Sequence, residues 1–198
     1  LEAEGAPFCF LYLGHFGNWE WVSSIPLWTK ADEVCGQIYH PLHNSVMDRL
    51  FLHVRGRFGA TSIAMKETLH TVLGWKREGR RAMVGFIADQ SPKLEAMHHW
   101  TTFLNHETSF FTGAEKIGRS VGARYFYVDI TRPRRGYYRA EVRELHIDEQ
   151  SDSLYPVTDA YARALEESIR RNPELWLWTH NRWKRTREIW ERDRKARK

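Results

Sequence analysis

His15 and Glu20 stand five positions apart, just past an apolar run, FCFLYL, that reads as a buried strand ending at Gly14. A histidine released beyond the carboxyl end of a strand and backed by a carboxylate is a general-base arrangement in an α/β protein. A neutral imidazole, with an ordinary pKa near ~6.5, accepts a proton at physiological pH. An acid beside it fixes the ring's tautomer and stabilises the imidazolium. Within one regular helix the two side chains would point about 140° apart. The pairing therefore expects His15 on the strand–helix loop and Glu20 in the first turn, where the helix dipole favours an acid. The spacing also arises by chance in a chain with ten histidines, and the plain alternative is a hydrogen-bonded loop histidine next to a capping acid.

The elements that must position this pair alternate along the chain, which argues for an α/β architecture. Residues 18–29 read as a short aromatic helix and 34–39 as the next strand. Residues 43–58 are amphipathic, with Val46, Leu50, Val54 and Phe58 recurring every four positions. Residues 67–78 form a second helix carrying Leu69, Val72 and Leu73, stopped by Gly79. AMVGFIA, residues 82–88, is a fully apolar central strand. Residues 89–108 show little regular pattern, and a loop of that length in a compact domain is usually a lid or binding loop. Thr112-Gly-Ala-Glu115 is a capping-box pattern opening a helix that ends before Gly122. Residues 124–131 and 137–147 form a hairpin. An amphipathic helix over 158–171 stops before Asn172-Pro173, and a basic tail follows a short aromatic segment.

The bulk properties fit one domain of 198 residues with an aromatic excess: nine Trp, eight Tyr and ten Phe. Trp and Tyr favour places where one end of the ring is dry and the other wet, lipid interfaces among them. The net charge of +5 is concentrated at the end, where residues 180–198 hold nine Lys and Arg against three Asp and Glu. Such a tail suits an anionic membrane, a phosphorylated lipid, an acidic carrier protein or nucleic acid, or is simply a solvated helix. Cys9 and Cys35 lack metal or redox spacing and read as buried free thiols in a reducing compartment. His40/His43 and His98/His99 have no third ligand at metal spacing, so no metal and no cofactor is expected. No apolar run approaches the ~20 residues of a membrane span. The chain starts without Met, seven residues before its first strand, and reads as a single domain over 1–198 whose natural N-terminal segment, a possible membrane anchor, is missing.

Four separated segments together resemble the late acyltransferases of lipid A biosynthesis, within the lysophospholipid acyltransferase superfamily. They are His15-Phe-Gly-Asn-Trp-Glu20, matching the HX4E motif, and Tyr39-His-Pro-Leu-His-Asn44 with Asp48-Arg49 and Arg55-Gly-Arg57. The other two are Phe86-Ile-Ala-Asp89-Gln90 and Asn172-Pro-Glu-Leu-Trp-Leu-Trp-Thr-His-Asn-Arg-Trp-Lys184. The last is the longest and most specific. His40 stands where the family has Arg, a departure that leaves the acceptor open.

The resemblance implies a mixed central sheet flanked by helices, like that of glycerol-3-phosphate acyltransferases. It implies transfer of a fatty acyl chain from acyl carrier protein to a hydroxyl of a glycolipid, at the cytoplasmic face of the inner membrane. His15 and Glu20 would be the general-base dyad, with no acyl-enzyme. Backbone N–H groups of Gly17 and Asn18 are candidate oxyanion donors. Arg55, at the family's motif arginine, is another, or binds phosphate. Asp89 is expected to orient Arg55 or line the acceptor pocket. His180, Arg182, Trp183 and Lys184 are expected to dock the C-terminal segment or meet headgroups, with Arg182, Trp183 and Lys184 the membrane contacts. The same chemistry on an aminolipid or phosphoglycolipid, a thioesterase-like hydrolase and a non-catalytic membrane scaffold are rivals. A nucleic-acid-binding module is the rival of a different class. It rests on the interleaved cations and aromatics of the tail, without a recognised motif to support it.

Overall fold

The computed structural model describes residues 7–30, 32–148 and 150–197. The expectation about what precedes the first strand falls mainly on residues 1–6, outside those described. Six strands form one mixed sheet in the order β3-β2-β4-β1-β7-β8. β1 (Phe8–Leu13), β2 (Glu33–Tyr39), β3 (Thr61–Ala64) and β4 (Arg81–Ile87) pair in parallel, as do β1 and β7 (Arg124–Arg134). Only β8 (Tyr137–Glu144) runs antiparallel, as the second arm of a hairpin with β7.

β1 lies inside the sheet, and this explains its composition. Covered on both faces, it has no wet side for polar residues, so FCFLYL is apolar at every position. Its rings make the core: Phe10 meets Phe86 of β4 at 4.9 Å between centroids, and Tyr12 meets Tyr161 at 5.0 Å. Tyr161, Leu165 and Ile169 are the buried stripe of α4 (Pro156–Arg171). Pro156 opens that helix, where a missing N–H costs nothing. α2 (Thr68–Arg77) buries Val72 and Trp75, and Gly36 of β2 makes room for the indole, since a Cβ there would lie 3.0 Å from it.

Several sequence expectations change. The segment Trp19–Trp28 is a 3-10 helix with Pro26 inside it and no buried residue, not an α-helix. Its core-facing residues Trp19, Val22 and Ile25 recur every three positions, the period of a 3-10 helix. The loop expected over 89–108 contains a small hairpin, β5 (Trp100–Phe103) and β6 (His106–Ser109). Leu104 and Asn105 take positive φ at its turn. α3 (Gly113–Val121) ends on left-handed Gly122 as expected, yet Thr112 makes no side-chain cap and Glu115 does not reach back to it. Glu115 is fully buried and instead accepts from Thr158 N, Thr158 Oγ1 and Arg119. It fastens α3 to the start of α4.

The amphipathic stretch 43–58 becomes α1 (Ser45–Gly56), capped by Asn44, whose Oδ1 accepts from Val46 N and Met47 N. Its apolar repeat points away from the core: Val46, Leu50 and Val54 are all exposed and α1 has no buried residue. Among the described residues no helix is long and apolar enough to cross a membrane.

Candidate active site

Parallel pairing sets the geometry of the site. Along β1 and β4 the register runs from Phe8 opposite Ala82 to Leu13 opposite Ile87, a constant offset of 74 residues. Carried two positions past the strand ends, that offset brings Asp89 beside His15. His15 Nδ1 lies 2.6 Å from Asp89 Oδ1, and the backbone N–H of His15 donates to Asp89 Oδ2 at 2.8 Å. Trp176 Nε1–H donates to the same Oδ2 at 2.9 Å. Asp89 is almost fully buried. Burial by itself would raise its pKa, but the hydrogen bonds and charge of His15 and the indole N–H outweigh it, and the carboxyl is held below its ordinary value. An ionised Asp89 accepts only, so the imidazole proton sits on Nδ1 and the Nε2 lone pair is free to take another. Gln90 Nε2 caps that lone pair loosely, at 3.3 Å.

The C-terminal motif is the scaffold of this pair. Phe16 and Trp176 form an antiparallel bridge, with Gly17 N–H donating to Leu175 O at 2.7 Å and Leu177 N–H to His15 O at 3.0 Å. Gly14 has no room for a side chain: a Cβ there would lie 2.7 Å from Leu165 Cδ1 and 3.4 Å from Asp89 Oδ2.

Glu20 and Asp89 exchange the partners expected for them. Glu20 does not hold His15; it takes Arg55 in a two-pronged pair, Nε to Oε2 at 3.0 Å and Nη2 to Oε1 at 2.6 Å. The Trp19 ring, one residue before Glu20, packs edge-on against the His15 imidazole at 4.9 Å. Arg55 lies 6.0 Å from that indole and 5.1 Å from the Phe51 ring, so Glu20, Arg55 and Trp19 form one wall beside His15. Arg55 Nη1 makes no hydrogen bond among the described residues. Gly17 is corrected as well: its N–H is spent on Leu175 O and cannot serve an oxyanion. Its φ of +56° and its contact with Ile130 give it the role of a tight turn. Asn18, at the start of the 3-10 segment, makes no side-chain cap.

His180 is the residue the sequence reading undervalued. It lines the same cleft as His15, Asp89, Gln90, Trp176 and Leu177. Ser91 N–H donates to His180 Nε2 at 3.0 Å. A backbone N–H can only donate, so the His180 proton is on Nδ1, which makes no hydrogen bond among the described residues. Burial, then Lys184 and Arg182, push its pKa below the ordinary histidine value and keep the ring neutral. The cleft thus holds two histidines with fixed and complementary tautomers, His15 offering a lone pair and His180 an N–H.

The expected headgroup contacts divide. Arg182 is buried at 3 % exposure, over the Phe110 ring at 4.6 Å, with Nη2 donating to Ser109 O; burial pushes its pKa down to about 10. Trp183 Nε1–H donates to Thr108 Oγ1 at 2.9 Å. Both dock the C-terminal segment onto the β5–β6 hairpin, and only Lys184 is exposed. Further along, α5 (Arg187–Ala196) and the Arg197 that caps it are tied to carboxylates, Arg187 to Glu107 and Arg197 to Glu95. His40 is exposed, its Nδ1 bonded to Pro41 O at 2.9 Å, and no group of three or more metal-ligating side chains forms among the described residues.

A family profile described as bacterial lipid A biosynthesis acyltransferase matches residues 2–185. The chain belongs to that family. It is therefore an O-acyltransferase, and the match spans all four segments singled out in the sequence. None of the curated proteins matches it.

Proposed function

We propose that the chain moves a fatty acyl group from an acyl carrier protein thioester to a hydroxyl of a lipid A precursor, with His15 as general base. The observation that carries this is the buried Asp89 carboxylate, which holds the His15 proton on Nδ1 and leaves Nε2 in the cleft. A hydroxyl is a poor nucleophile because its pKa is far above 7, so His15 Nε2 takes its proton as the oxygen attacks the thioester carbonyl. The imidazolium is stabilised by Asp89. The C–S bond then breaks, and the departing thiolate takes the proton back from Nε2. An ester and a free carrier thiol result, and no side chain is acylated. His180 Nδ1–H supplies a donor to the tetrahedral oxyanion. Glu20 fixes Arg55, whose unused Nη1 is placed to meet a phosphate of the acceptor or the carrier.

His15, Asp89, Gln90, Trp176, Leu177 and His180 line a narrow surface recess rather than a cavity. A recess of that kind does not enclose a lipid, so the sugars and acyl chains of the substrates lie over the adjoining surface. A lipid acceptor at the cytoplasmic face of the bacterial inner membrane meets that need. His40, in place of the family's arginine, favours a second reading in which the acceptor is another glycolipid or an aminolipid.

Mass spectrometry tests both readings. The protein is supplied with acyl carrier protein thioesters and either lipid A precursor or total bacterial lipids, beside His15→Ala. A His15-dependent mass gain of one acyl group on the lipid A precursor is the expected result. A gain confined to another lipid moves the acceptor, and free fatty acid alone overturns acyl transfer to a lipid.

A further inference from the structure

Among the described residues, α1 and the 3-10 segment that precedes it in the chain carry many of the exposed large apolar side chains. Val46, Leu50 and Val54 repeat at i, i+4 along α1 and all face outward, Val46 with 63 % of its surface exposed. Leu27 and Trp28 lie exposed at the end of the 3-10 segment, Trp28 at 83 %. A soluble surface scatters such residues singly; a stripe of them on one helix marks an interaction site. The same region is cationic. Residues 39–66 contain Arg49, Arg55, Arg57 and Lys66 against a single acid, Asp48. Asp48 Oδ1 accepts from Leu42 N, and Arg55 is held by Glu20. Arg49, Arg57 and Lys66 have no carboxylate partner among the described residues.

We propose that this face docks on an anionic lipid surface, with α1 lying in the plane of the interface. An apolar stripe flanked by unpaired arginine and lysine is the pattern of an interfacial helix, and an indole at the end of the 3-10 segment fits the boundary between headgroup and chain. Charge complementarity selects the occupant: two copies of this chain meeting through the same face would set Arg49, Arg57 and Lys66 against themselves, whereas anionic headgroups neutralise them. α1 is linked to the cleft by a chain of contacts, His15 to Trp19, Trp19 to Arg55 and Arg55 to Phe51, the last two residues on α1. The inference deepens the proposed function, since a lipid acceptor too large for the cleft would approach from the bilayer on which α1 rests. α5 lacks the apolar component: none of its large apolar side chains is exposed.

The test uses the whole chain and vesicles of phosphatidylglycerol mixed with phosphatidylcholine, with no acyl donor present. Partitioning is measured by co-sedimentation for the wild type, for the double variant Leu50→Asp/Val54→Asp, and for Trp28→Ala. Because these side chains are exposed, circular dichroism melts should match the wild type. The expected result is salt-sensitive binding that falls about tenfold or more in the double variant and less in Trp28→Ala. Equal binding by wild type and double variant overturns the docking face, as does wild-type protein that ignores anionic vesicles. A dimer in solution that the double variant dissociates overturns it too, by giving the stripe to a second copy. Vesicle binding without turnover would support the face while overturning the acyl-transfer reading, so the two fail separately.

Discussion

Each histidine of the cleft is defined by the one hydrogen bond that fixes its proton. For His15 the fixing partner is an ionised carboxylate; for His180 it is a backbone amide. His180 has a pKa depressed by burial and by Lys184 and Arg182, so the folded state favours the neutral ring. It contributes stability above the unfolded value of ~6.5, and that contribution is lost as pH falls from there through the lower folded value. Protonation at Nε2 would also set an N–H against the Ser91 N–H. In His180→Ala the acid limb of the urea-midpoint profile is therefore expected to flatten between about pH 6.5 and the lower folded value. The same variant should lose about 10²-fold in kcat with a smaller change in KM, as loss of one oxyanion donor does. An unchanged kcat would return His180 to a purely structural role. Asp89, depressed in the same sense, contributes stability above the ordinary carboxylate range and loses it below.

Elements built from one clear periodicity were legible in the sequence. β1, β2, β4, the β7–β8 hairpin and α4 lie within a few residues of where alternation, apolar runs and Pro or Gly punctuation put them. Two kinds of element were not. β3, four residues long, and the β5–β6 hairpin are too short to carry a period. Glu115 was misread because a capping box and a buried carboxylate are the same letters, and Thr158 is 43 residues away. The seam between α3 and β7 carries a sharp stability test. A Cβ at Gly118 would lie 2.5 Å from Tyr125 Oη, and that ring is buried and bonded to Glu115 O. Gly118→Ala should cost about 1–3 kcal/mol by overpacking. That corresponds to a Tm fall of roughly 3–10 °C by calorimetry. An unchanged Tm would mean that the seam yields freely.

At the scale of the molecule, the site is a consequence of strand register. His15 was legible because the strand before it is apolar and its own chemistry is unmistakable, but its partner was assigned to the nearest acid in sequence. Long-range pairing through the sheet decided otherwise, at a separation of 74 residues, and the C-terminal motif locks the result through Trp176. The only hint in the sequence was that Asp89 follows its strand by the same two positions as His15 follows its own. The outward α1 stripe is another feature of the whole: helical period says that one face is apolar, not that the core is what covers it. Asp89, not Glu20, is the carboxylate that backs His15. This pairing is tested by steady-state acyl transfer in Asp89→Asn and Glu20→Gln side by side, with folding checked by circular dichroism. Asp89→Asn should lose roughly 10³–10⁴-fold in kcat, because an amide no longer fixes the tautomer or stabilises the imidazolium. Glu20→Gln should lose far less in kcat and act mainly on KM through Arg55. The reverse order, with Glu20→Gln abolishing turnover and Asp89→Asn nearly wild type, would contradict it.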